Sequence, residues 1–194
     1  MGTGVGSGLS AANLAYFGIE FSVALAIHSV SLFADSIDFL EDGSVNFVIL
    51  VALGWSAKWR ARTGMLLTAI LIVPGLATLW TAWQKFGAPS PPDPALLSLT
   101  GAGALAVNLA CAFTLTRFRH HAGSLTKAAF LSARNDAFAN IGTVAAAVAT
   151  LIVHCGWPDL IVGLTIALMN ANAAREVYEA ARKEQNEPHR TAPM

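Results

Sequence analysis

Charge is what this 194-residue chain has least of. Only 12% of its residues are charged, 12 basic and 12 acidic, against about 25% in an ordinary soluble domain. What fills the gap is 55% hydrophobic residues and a mean hydropathy of +0.55. That balance excludes a water-soluble globular domain and points to an integral membrane protein in contact with a lipid bilayer. With a formal net charge of zero there is no basic surface for nucleic acid. Cysteine is scarce too. Cys111 and Cys155 lie in separate apolar segments with no CxxC or Cys–His spacing, so both read as small apolar fillers rather than a disulfide or thiolate site.

The N-terminus lacks the marks of targeting. No Lys or Arg occurs before Ala11, and no small-residue cleavage site follows a short apolar core, so no secretory signal is expected. Gly6 stands where N-myristoylation needs Ser or Thr. The glycines at 2, 4, 6 and 8 precede no strand and make no phosphate loop, and no organic cofactor motif occurs. Residues 1–10 are expected to be a flexible tail, 11–182 a single membrane domain, and 183–194 a short cytoplasmic tail.

Six apolar segments reach the roughly 17–25 residues a membrane helix needs. They run about 11–30, 32–55, 63–86, 95–118, 127–153 and 158–180, which predicts an all-α, polytopic membrane protein with six transmembrane helices. Lys58, Arg60 and Arg62 follow the second segment. Arg117, Arg119, His120, His121 and Lys127 separate the fourth from the fifth, and Arg175, Arg182, Lys183 and Arg190 lie at or beyond the end of the sixth. The opposite side carries only Lys85, beside the Pro-rich loop at 89–94. Basic connections stay in the cytoplasm, so both termini are expected inside. The membrane would be the cell's inner (plasma) membrane if the source is bacterial. Trp55, Trp59, Trp80, Trp83 and Trp157 fall near the predicted boundaries, as interfacial anchors do.

Where charge does occur inside the apolar segments, it is patterned. Asp35, Asp38, Glu41 and Asp42 put four carboxylates into eight residues of the second segment. At about 100° per residue, Asp35, Asp38, Asp42 and Asn46 share one stripe and Glu41 lies off it. The fifth segment has its own polar stripe, Ser132, Asp136 and Asn140, at i, i+4 and i+8. Counting about 1.5 Å per residue from each predicted boundary places Asp38 and Asp42 roughly 9 and 15 Å deep, and Asp136 and Asn140 roughly 13 and 20 Å from the other side. In a core about 30 Å thick, the two stripes overlap near the midplane.

Carboxylates gathered in a desolvated place cannot all stay ionised without a cation. They hold either a divalent metal or protons in its place, and that exchange is the chemistry of a proton-coupled metal antiporter. Moving a divalent ion out of a negative-inside cell costs about 4.6 kcal/mol at 100 mV, at about 2.3 kcal/mol per charge. Proton counter-flow can supply it.

The run from Ser29 to Asp38, continued to Asp42, resembles the second-helix signature of the cation diffusion facilitators, a family that exports zinc, cobalt, cadmium, iron or manganese against protons. The resemblance implies a site made of two residues four apart on the second helix and two on the fifth. Asp38 and Asp42 match the first pair, Asp136 matches the second member of the other, and Asn140 matches a frequently polar position one turn on. Asn108 in the fourth helix and Pro158-Asp159 opening the sixth also agree, over about residues 11–182. Two departures stand out. Ser132 occupies the position where the family usually has His or Asp, leaving an all-oxygen set suited to harder cations. The family's cytoplasmic metal-binding domain, which helps form a homodimer, has no counterpart in the sequence.

Other ionisable residues divide between roles. Glu20 and Arg134 each sit about two turns from the cytoplasmic side and are candidates for an inner-gate ion pair or a fixed structural one. Asp35 is a candidate relay on the stripe. Glu41 is expected to face a neighbouring helix, and Asn170 and Asn172 to hydrogen-bond between helices. His28 and His154 read as interfacial, and His120-His121 as a solvated loop. A metal-binding subunit or sensor without transport is the competing function. An intramembrane protease is excluded in its Ser132–His154 form by a separation of more than about 30 Å along one helix.

Overall fold

The structure, a computed structural model, describes residues 3–52, 76–87, 89–118 and 124–186, with side chains over 7–44, 76–87, 89–114, 135–172 and at 175. Among these residues there are six helices and no strand. They are α1 (Thr3–Ile27), α2 (Val30–Ala52), α3 (residues 76–86), α4 (Pro94–Phe118), α5 (Ser124–Val153) and α6 (Trp157–Asn186). Lys58, Arg60, Arg62, His120 and His121 lie outside the described residues, as does most of the third apolar segment.

One expectation is corrected at the N-terminus. Residues 3–10 are helical rather than a flexible tail. Leu9 and Ser10 are buried, and Ser10 Oγ donates to the Gly43 carbonyl of α2 at 2.7 Å. A side chain at Gly43 would meet Leu14 Cγ at 2.8 Å, so the glycine is what lets α1 lie this close. Packing against α2 offsets the helix penalty of the early glycines, about 1 kcal/mol each.

Three connections share one end of the bundle, called here the turn end. His28, in the left-handed region at φ 53°, closes α1, and the Ser29 amide donates back to the Ala24 carbonyl at 3.0 Å. Ser29 then caps α2, its Oγ accepting from the Leu32 amide at 3.1 Å. His154 at φ 52° ends α5 in the same way. Asp93 caps α4, accepting from the Ala95 and Leu96 amides at 2.9 Å, with Pro94 at the first helical position where no amide is needed. The Gly156 amide donates to Pro89 at 3.0 Å and pins the third connection to the second.

From that end the helices alternate in direction. α1 packs along α2, α4 packs along α5, and α6 lies against both α2 and α5. Small residues set the close approaches. A Cβ at Gly163 would meet the Val30 carbonyl carbon at 2.7 Å, and one at Gly101 would meet Thr143 Cγ2 at 3.2 Å. Ala24, Leu32, Phe33, Ile37, Leu97 and Ala147 form the largest apolar cluster. Leu99, Phe113, Ile152 and Leu168 are exposed, as apolar side chains facing lipid would be.

Ser7–Ile27, Pro94–Thr114 and Asn135–Val153 are long and apolar enough to cross a bilayer. α2 is 23 residues long, a sufficient length, but carries the acidic stripe. Both cysteines are free, and Cys111 donates its thiol to Asn13 Oδ1 at 3.7 Å.

Candidate cation site between the second, fifth and sixth helices

At mid-height the polar residues of three helices open a pocket of about 80 Å³, lined by Asp38, Glu41, Asp42, Asn135, Asp136, Ala139, Met169 and Asn170. At about 10–15 Å³ per water on this measure, it has room for a cation with several waters. α2 supplies three carboxylates and α5 supplies Asp136, and none of these eight lining residues is basic. Four acidic groups thus border one small volume with no cationic side chain among its described walls. Among the described residues, no three His, Cys, Asp or Glu side chains converge into a finished metal site. The carboxylates stand around the space, as mutually repelling groups do.

The sequence-expected residues meet different fates. Asp38, Asp42 and Asp136 come together around the pocket. Asn140 does not line it: its Nδ2 donates to the Asp136 carbonyl one turn back at 2.7 Å, and its Oδ1 is buried without a partner. The side chains of Ser132, Arg134 and Asn46 lie outside the described residues. Glu41, expected to face a neighbouring helix, lines the pocket instead. It is about 60° from Asp38 around α2, and its longer side chain covers that angle.

Asn135 and Asn170 are additions. Asn170 was legible in principle, because it lies 13 residues into α6 from Trp157, about 20 Å. Asp42 lies 12 residues into α2 from Val30, about 18 Å from the same end of the bundle.

Toward the turn end the pocket is closed. Ala34, Ala139 and Ile166 pack across it. Along the same stretch of α2, Ser31, Leu32, Asp35 and Ser36 are all 0% exposed. Glu20 of α1 and Asp35 of α2 are both buried in this closed half. Their carboxyls adjoin each other, and among the described residues no other group offers a hydrogen bond to any of the four oxygens.

At the turn end itself a second polar cluster is built on Asp159, which is 0% exposed. Its Oδ1 accepts from Ser29 Oγ at 2.6 Å, Ser31 Oγ at 2.7 Å and the Ser31 amide at 3.1 Å. Its Oδ2 accepts from the Val30 amide at 2.9 Å and lies 3.5 Å from Lys85 Nζ. An acidic residue in the first turn of a helix usually serves its own N-terminus. Asp159 serves the N-terminus of α2 instead, while the Leu160 amide turns back to Gly156.

Residues 9–183 match the family model of the cation efflux transmembrane domain. No curated protein sequence matches the chain significantly.

Proposed function

The chain belongs to the cation diffusion facilitator family, whose members transport divalent metal cations, and on that basis we propose that it exports such an ion from the cytoplasm in exchange for protons. The observation that carries this reading is the carboxylate-lined pocket joining α2 to α5. Asp38, Asp42 and Asp136 would hold the cation, with Glu41 and Asn170 at hand from the same lining and Ser132 or Asn140 completing the shell after a small rearrangement. The oxygen-rich lining favours manganese or ferrous iron over zinc, though carboxylates take zinc, cobalt and cadmium as well.

The proposed topology is six spans with both termini in the cytoplasm, which puts the turn end outside. The closed layer of Ala34, Ala139 and Ile166 then separates the pocket from the exterior, so this conformation receives its ion from within. Alternating access requires that layer to part. Glu20 and Asp35, adjoining carboxyls in the closed half, are the proposed proton relay, because two carboxylates without a counter-charge are too costly in a dry interior unless a proton is shared. Glu20, beside Asp35 in the closed half, is thereby taken out of the inner-gate pair expected with Arg134, which lies 19 residues from the turn end of α5. A homodimer in the plane of the membrane is compatible with the exposed apolar faces.

Transport is tested in proteoliposomes holding a metal-sensitive dye, with manganese, iron, cobalt, zinc and cadmium offered in turn under an imposed proton gradient. Gradient-dependent flux of at least one ion is expected, accompanied by proton movement in the opposite direction. Binding of metal with no such flux for any ion would make the protein a metal-binding subunit or sensor instead.

A further inference from the structure

Asp159 lies outside the carboxylate pocket, yet it accepts four hydrogen bonds and has an ammonium nearby. All four of its hydrogen bonds come from the first turn of α2, at Ser29, Val30 and Ser31. They fasten the start of α6 to the start of α2. One turn further along α6, Gly163 meets the Val30 backbone so closely that no side chain would fit between them. Val30, Ala82 and Leu160 pack around this junction, bringing in α3. The junction therefore lies directly between the closed layer above the pocket and the turn-end surface.

Lys85 is the unusual member. It is 8% exposed and lies near Asp159, but its Nζ makes no hydrogen bond. A buried ammonium with three donors and no hydrogen-bond acceptor is an unfavourable arrangement in a single rigid structure. It becomes favourable in a protein with two states. If the first turn of α2 withdraws from α6, Asp159 loses all four of its donors together and becomes an uncompensated buried charge. Lys85, from its position, can close the remaining gap and supply donors in their place. The other described groups around Asp159 are the two serine hydroxyls and the α2 amides, so no second cation competes for that task.

We infer that Asp159 is the positioning residue that seals the transport path at the turn end, and that Lys85 takes over its carboxylate when α2 and α6 part. The two partners of one ion pair then have opposite effects. Asp159 favours the closed state through α2, while Lys85 favours the open state by making it affordable in charge. A merely structural ion pair would give effects of the same sign from both sides.

The inference rests on the transport reading only for which side is opened, and the test reads opening itself. Ala34, 1% exposed in the closed layer, is changed to Cys in a background carrying Cys111→Ala and Cys155→Ala. Intact cells expressing this full-length protein are treated with a membrane-impermeant, charged thiol reagent, and the labelling rate is measured. Adding Asp159→Asn is expected to raise the rate about tenfold, through lost charge-assisted hydrogen bonds. Adding Lys85→Met is expected to lower it about threefold or more. Ser29→Ala with Ser31→Ala removes two of the four bonds and leaves the acid in place, so it covers the case of a poorly folding Asp159→Asn. Its rate is expected to rise as well.

Equal rates in the parent and in both closed-state variants would overturn the inference, as would faster labelling in Lys85→Met. If the parent protein moves no metal in proteoliposomes but the opposite-sign labelling holds, the transport reading fails and the seal stands.

Discussion

Two acidic places in this molecule, one at mid-height and one at the turn end, answer the same problem in opposite ways. Around Asp159 every carboxylate oxygen has donors, from two hydroxyls and two amides, and an ammonium lies nearby. Around the pocket, Asp38, Glu41, Asp42 and Asp136 border one space, and none of the described residues lining it is basic. The first arrangement is complete as it stands and holds helices together. The second, on the proposed reading, is completed by an entering cation. Burial of acid alone does not separate the two places; the groups that surround each of them do.

The comparison predicts that removing charge has contrary consequences at the two places. Asp159→Ala should give the largest effect on folding, a loss of about 3–5 kcal/mol, because it strands Lys85 and the first turn of α2. Thermal unfolding of the detergent-solubilised protein measures it. Unchanged stability would place Asp159 with the pocket acids. Asp42→Ala and Asp136→Ala should instead weaken metal binding about 100-fold, near 2.7 kcal/mol, while metal-free stability stays level or rises as like charges are removed. Titration calorimetry and thermal unfolding of the same samples read both quantities. Full metal binding in both variants would remove these residues from the site.

Smaller changes sharpen the contrast at the turn end. Gly163→Val places a side chain against the Val30 backbone and should cost about 1–3 kcal/mol of stability, again by thermal unfolding. Ser31→Ala removes one hydroxyl hydrogen bond to a charged acceptor and should cost about 1.5 kcal/mol. Neither should alter the metal affinity of detergent-solubilised protein, since both lie on the far side of the closed layer from the pocket. An affinity change equal to that of Asp42→Ala would show that the two places are one unit.

Much of this was legible in the sequence, for identifiable reasons. Hydropathy located the helices, since an apolar segment of bilayer length has few other conformations open to it. The stripe of Asp38 and Asp42 pointed to one side of α2, and the matching depth of Asp136 pointed back at it. Angle alone, however, left out side-chain length, so Glu41 was expected elsewhere. The Asn140 amide was lost to its own helix backbone, a local competition that spacing does not reveal. Residues 3–10 looked like a tail because glycine is a poor helix former, and only the contact with Gly43 shows what offsets that. Asp159 showed as a family-like residue opening the sixth helix. Its service to a neighbouring helix start depends on a junction between residues about 130 apart in the chain, a count read from the Ser29 hydrogen bond, which no local pattern encodes.

The two left-handed histidines have a mechanical consequence. Only His28 and Ser29 separate α1 from α2, and only residues 154–156 separate α5 from α6. Links this short contain few soft torsions, and each has a residue held near φ 50°, so these two hairpins resist bending at their elbows. Asp38, Glu41 and Asp42 ride on one hairpin, and Asp136 and Asn170 on the other. A pull exerted on a single carboxylate is therefore transmitted along a whole arm rather than absorbed within one helix. On the proposed reading, the stiffness of two short elbows would turn the arrival of an ion into an angle between two bodies.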